Sequence, residues 1–157
     1  MMSMMLVQVK VGPRLLSLIK ENPQVLHEIV FADEDFSRYA FHHREDMNEV
    51  DYLHMLAPYF QFLAMENGED PDDYECSHAV QKNPMYRSMT GEQILGYEFC
   101  YGPASYHQLE KAKQITEEWA EHFRAEDLAD IERPDVSVFL FYQQAVSEGK
   151  TVICGIN

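Results

Sequence analysis

Nucleophilic catalysis requires a serine, threonine or cysteine held within reach of a base, and this chain supplies those residue types without an organising spacing. Cys76 and His78 are two positions apart and would point to one side of a strand. No third group accompanies them, and a chance pairing is the favoured reading. His54, His78, His107 and His122 stand clear of any G-x-S-x-G or H-E-x-x-H pattern, and no glycine-rich phosphate loop occurs. No catalytic residue is therefore expected. Cys100 and Cys154 flank apolar residues and read as inert core thiols.

Metal chemistry is weighed on two segments. His42 and His43 beside Glu45 and Asp46, with Asp33, Glu34 and Asp35 upstream, are the right residue types for ligands. Adjacent histidines seldom converge on one ion, so solvated surface is favoured there. The run Glu66, Glu69, Asp70, Asp72, Asp73 and Glu75 lacks the D-x-[DN]-x-[DN]-G register of a calcium loop. Solvation is its first reading, partner docking its second. No metal and no cofactor is expected.

Charge is the property in which this sequence departs most from average. The chain of 157 residues has a net charge of −15. The imbalance is local: residues 1–30 sum to +1, residues 31–78 to −11 and residues 79–157 to −5. Such a middle repels phosphate backbones and anionic lipid surfaces, so nucleic acid and membrane are disfavoured as partners. The hydrophobic fraction of 46% argues against disorder. Three cysteines without a C-x-x-C pair argue against a disulfide framework and for a reducing cytoplasm. The first ten residues lack a basic leader, and no segment reaches the roughly 18 apolar residues of a membrane span.

The elements that must position these groups follow from periodicity. Met4 to Val11 alternates around Gln8 and Lys10 and predicts a strand with one face on the core. Pro13 then opens a helix with Leu15, Leu16, Leu18 and Ile19 inward, ending near Asn22-Pro23, and a second helix is predicted over Gln24 to Phe31. Residues 32–48 read as a connection. Helical spacing returns at Val50, Leu53, Leu56, Ala57, Phe60 and Leu63, interrupted by Pro58, which predicts a kink. The missing proline N–H frees the His54 carbonyl for water or ligand, although a structural bend is the favoured reading. Glu66 to Cys76 reads as an exposed loop. His78 to Leu95 gives two short helical turns divided by Asn83-Pro84, and Tyr97 to Tyr101 a short strand or extended entry to a Gly102-Pro103 turn.

Leu109, Ala112, Ile115, Trp119, Ala120 and Phe123 line one face of the clearest helix, with charged residues opposite. A helix from Val136 to Glu148, capped by Asp135, is apolar nearly all round and belongs inside. Gly149 fits its C-terminus, and Thr151 to Ile156 predicts a buried final strand. Strands near both ends with helices between predict a single α+β domain over 1–157: a small, mainly antiparallel sheet covered by several helices.

Tyr101-Gly102-Pro103-Ala104-Ser105-Tyr106 before a helix, and Phe141-Tyr142-Gln143-Gln144-Ala145-Val146-Ser147-Glu148-Gly149 before a last strand, resemble the YfbM-like family of small bacterial domains. The likeness covers about a third of the chain and implies a one-domain α+β fold and bacterial origin. It implies no catalytic residues. Family members place Ser or Thr at the start of the helix where this chain has His107-Gln108-Leu109, so a conventional cap is missing unless Ser105 supplies it.

The leading expectation is a non-enzymatic, acidic binding module of inhibitor or toxin-immunity type. It would engage a basic protein through Asp33, Glu34, Asp35, Glu66, Glu69, Asp70, Asp72, Asp73 and Glu75. The alternative is a small-molecule binder or enzyme with a pocket around His54, Tyr101 and Tyr106. A third reading is a structural homo-oligomer burying the Met-rich residues 1–5 and 47–65. Tyr106 reads more easily as an anchor for the following helix than as a reactive group.

Overall fold

Six residues, Leu6–Val11, form strand β1, and all six are buried. The computed structural model describes residues 6–31 and 52–157. β1 pairs antiparallel with the C-terminal strand β4, Thr151–Ile156, with Val9 opposite Ile153. Strands β2, Glu92–Phe99, and β3, Gly102–Tyr106, complete an antiparallel sheet in the order β1-β4-β3-β2. The terminal strands thus lie side by side, and β4 is central. The fold is α+β, as the element pattern predicts.

Burial of both faces of β1 differs from the half-solvated strand that its alternation predicts. Helices lie on both sides of the sheet, so the polar positions Gln8 and Lys10 are covered as well. Lys10 is accommodated with its ammonium 3.8 Å from Glu148 and 5.2 Å from the Phe141 ring centroid. A charge can be buried in this way when its stem packs on apolar surface and its head meets an anion and an aromatic face.

One face carries Val7, Val9, Val11, Ala104, Tyr106 and Ile153. Helices α1, Pro13–Glu21, and α2, Gln24–Phe31, cover it through Leu15, Ile19, Leu26 and Ile29. The opposite face meets a thicker layer. That layer comprises α3 (Tyr52–Glu66), a 3₁₀ segment (Pro71–Cys76), α4 (His78–Lys82), α5 (Pro84–Met89), α6 (Leu109–Ala120), α7 (Ala125–Leu128) and α8 (Pro134–Ser147). In α8, Val136, Val138, Phe139, Phe141, Tyr142 and Ala145 are all buried, as its apolar circumference predicts. Trp119 of α6 packs on it, 5.3 Å from the Phe139 ring.

Glycines place the junctions. Gly149 has φ +71, and N–H bonds run from it to Val146 O and from Lys150 to Ala145 O, the paired bonds of a Schellman stop. Gly68 ends α3 in the same way, at φ +77 with Gly68 bonded to Met65 and Glu69 to Ala64. Both helices therefore end at fixed angles, and the segments after them are aimed rather than loose.

Two predicted junctions are corrected. Cys100-Tyr101, not Gly102-Pro103, makes the turn between β2 and β3, and Gly102 and Pro103 already pair with Phe99 and Glu98. Cys100 is consequently exposed in that turn and is not a core thiol. Cys76 ends the 3₁₀ segment and His78 opens α4, so the two do not share a strand face. Helix α6 starts without a side-chain cap, and Ser105 instead donates to the Met89 carbonyl from within β3. Asp135 lies inside α8, where Pro134 takes the first turn and Arg133 the cap position.

Candidate functional site

Pro103 offers no N–H to a sheet ladder, and the pairing of β3 with β4 is confined to Ser105–Cys154 and Tyr106–Ile153. Beyond that point the Tyr101 N–H reaches Ile156 O at 3.0 Å. A cavity of about 310 Å³ opens at this end of the ladder, between the sheet and the helical layer.

Ser105 and Cys154 face it from the sheet. Ser105 Oγ donates to Met89 O at 3.1 Å, and Cys154 Sγ lies 3.9 Å from Ser105 Oγ and 3.7 Å from the Ser88 and Met89 carbonyls. Burial pushes the Cys154 thiol up to about 11, so it is protonated at neutral pH and is not a nucleophile. The nearby His107 ring nitrogen is engaged with the Arg87 carbonyl at 2.6 Å.

The helical side of the cavity is aromatic. Phe60 of α3 stacks with Tyr74 of the 3₁₀ segment at 5.9 Å and 22°, and meets Tyr86 of α5 edge-on at 5.4 Å and 85°. Tyr101, 41% exposed, stands at the rim. Among the described residues Glu75 is the one charged residue lining the cavity. The hydroxyls of Tyr74 and Tyr86 are pushed above the usual tyrosine range, first by burial and then by the charge of Glu75.

Glu75 belongs to the acidic segment, which is exposed as its composition predicts but is a 3₁₀ turn over Pro71–Cys76 where an irregular loop is expected. After the Gly68 stop, Asp70 caps the 3₁₀ segment by accepting the Asp72 N–H at 2.9 Å. Glu69 accepts the His78 N–H at 2.9 Å, and hydrogen bonding, chiefly from Ser77, holds its carboxyl below the usual range. Glu69 is therefore a brace between the segment and α4. Glu66, Asp70, Asp72, Asp73 and Glu75 are exposed. No lysine or arginine occurs between Arg44 and Lys82, and among the described residues none of these five carboxylates pairs with a cation.

The structure brings some predicted residues together and separates others. Asp33, Glu34 and Asp35 lie outside the described residues, as do His42, His43, Glu45 and Asp46. His54 falls within α3, and its side chain also lies outside the description. Tyr101 lines the cavity from the β2–β3 turn, whereas Tyr106, at the end of β3, points to the other face of the sheet. There its hydroxyl donates to Glu92 at 2.9 Å and Lys20 sits 4.8 Å from its ring centroid, which anchors α1 to β3. Tyr106 is thus a packing residue and no part of a pocket with Tyr101.

Helical spacing places Phe60 on a helix face, and no sequence pattern assigns a site to Phe60, Tyr74 or Tyr86. Tyr74 and Glu75 are adjacent within the acidic run, a signal that such a run carries aromatic surface, but no local pattern joins them to Phe60 or Tyr86.

A second cavity of about 210 Å³ beside Trp119 and His122 has Arg133 on its wall. That guanidinium is already engaged by Asp127 at 3.0 Å and Asp135 at 2.8 Å. Among the described residues no cluster of three or more His, Cys, Asp or Glu is disposed to hold a metal, and no helix is long and apolar enough to cross a membrane. Comparison of the chain with protein families, with curated proteins and with solved structures finds no match. The YfbM-like likeness rests on its sequence motifs alone.

Proposed function

We propose that the protein is a binding module that engages a basic protein partner through the segment Glu66–Glu75, in the manner of an inhibitor or immunity protein. The observation that carries this reading is the fixed presentation of charge. Five exposed carboxylates sit on a segment tied to its neighbours by a Schellman stop, the Asp70 cap and the Glu69 brace. Fixed charges lose little entropy on docking and steer a basic surface toward them, with a reach of about 8 Å at physiological ionic strength.

The test compares wild type with a variant carrying Glu66→Gln, Asp70→Asn, Asp72→Asn and Asp73→Asn. Asn at position 70 preserves the cap, and the Glu69 brace is untouched. Captured from the native host at low ionic strength, a basic protein should be retained by wild type, eluted by salt and lost from the variant. Recovery of the same proteins by both would reject the reading.

Self-association is a second reading, favoured by one observation. Tyr59, Phe62 and Met65 of α3, spaced three residues apart, are 39%, 55% and 59% exposed. Light scattering that returns a monomer mass, unchanged by Phe62→Asp, would reject it.

A further inference from the structure

We propose that the aromatic cavity at the open end of the β3–β4 ladder binds a small organic cation, an ammonium group carried on an apolar body. This goes beyond docking of a protein partner, with which it shares Tyr74 and Glu75. Three features specify the ligand class.

The volume of about 310 Å³ lies at the lower edge of the range for small-molecule sites and exceeds what one inserted side chain fills. The wall is aromatic, with Phe60, Tyr74 and Tyr86 packed into one group across three elements and Tyr101 at the rim. Aromatic faces attract cations as well as apolar carbon. Among the described residues the only charge on the lining is the carboxylate of Glu75. Its field already reaches the Tyr74 and Tyr86 hydroxyls, and the exposed Asp70, Asp72 and Asp73 add to the negative potential around it.

An anionic ligand would meet uncompensated repulsion here. A neutral one would leave the exposed Glu75 carboxylate to solvent and gain nothing from its charge. The apolar body would lie against Leu6, Met89 and Ile156, with Ser105 and the protonated Cys154 offering weak polar contacts at the sheet.

The experiment titrates the whole chain with three probes of one shape: 2-phenylethylammonium, 2-phenylethanol and 3-phenylpropanoate. Calorimetry and ligand-observed NMR give the affinities. The cation should bind at least about tenfold more tightly than the alcohol, and the propanoate should not bind. Glu75→Gln, at an exposed position, should reduce that cation preference by at least about threefold while leaving alcohol binding unchanged. Met89→Trp should fill the cavity and weaken cation and alcohol alike. Asp72→Asn with Asp73→Asn should change cation affinity less than about threefold, which separates the cavity from the acidic surface.

Equal affinity for the three probes, no saturable binding of any, or an undiminished cation preference in Glu75→Gln overturns the proposal. Salt-sensitive capture of a basic partner would stand in that event. Conversely, cation binding without partner capture rejects the docking reading and keeps the cavity.

Discussion

Gly155 of β4 lies under the ring of Phe99, and the sheet has no room there for even one methyl group. A Cβ at position 155 would lie 2.0 Å from Cδ2, 2.5 Å from Cε2 and 3.0 Å from Cγ of Phe99. Ordinary carbon contacts are about 3.5–4.0 Å, so the ring must retreat by about 1.5 Å. It has little freedom to do so, because Phe99 is buried and set edge-on against Tyr97 at 5.3 Å and 89°.

Overpacking of this kind costs about 1–3 kcal/mol. For a chain of this size that lowers the melting temperature by about 3–10 °C. Trp119, the single tryptophan, packs against Phe139 and Tyr142 and reports unfolding in urea by its fluorescence. Gly155→Ala should lower the midpoint, and its cost should shrink by about 1–2 kcal/mol in a Phe99→Leu background, where the colliding ring is gone. A Gly155→Ala protein within about 0.5 kcal/mol of wild type, or one equally destabilised with and without the ring, would refute the packing described. The consequence extends to the cavity, since Phe99 leads directly into the Cys100-Tyr101 turn on its rim.

Two further predictions concern the thiols and alkaline pH. With a chromogenic disulfide reagent at neutral pH, the exposed Cys100 should react first. Cys76 should follow more slowly, because hydrogen bonding and the charge of Asp73 push its thiol up, and Asp73→Asn should accelerate it. Cys154 should react only in urea, and fast reaction of all three in the native state would contradict its burial. Stability should fall as pH rises from about 9 to about 11, because native Cys154 keeps a proton that the unfolded thiol has released. Tyr142, also raised by burial, extends the fall upward. Urea midpoints followed across this range should decline less steeply in Cys154→Ala, and parallel declines would remove the assignment to Cys154.

Local pattern explains which parts of this structure are legible in the sequence. The face of α6, the apolar circumference of α8 and the Gly149 stop depend on spacings within a few residues, and all are read correctly. The β2–β3 turn is misplaced by one dipeptide because Gly102, at φ +147, and Pro103 have turn chemistry, whereas their strand state comes from pairing with Phe99 and Glu98. Lys10 reads as solvent-facing because alternation reveals nothing about a second helical layer. The acidic segment is legible as charge, but its rigidity arises from the Gly68 stop and from Glu69 reaching His78. The cavity is least legible of all. Phe60, Tyr74 and Tyr86 meet only through tertiary packing, and Tyr101 and Tyr106 are parted because one lies in the β2–β3 turn and the other faces away from the cavity at the end of β3.

The central claim is that the segment Glu66–Glu75, and not negative charge in general, recognises cations. Helix α6 supplies an internal control, since it also exposes Glu110 and Glu117, with Glu121 at its C-terminal cap, interspersed with Lys111 and Lys113. Backbone-amide NMR shifts of the whole chain, followed as tetralysine is added at low and at physiological salt, test the claim most directly. The account predicts shifts concentrated on residues 66–76 and fading as salt rises. Shifts spread equally over α6 and that segment, or no shifts at all, would contradict it.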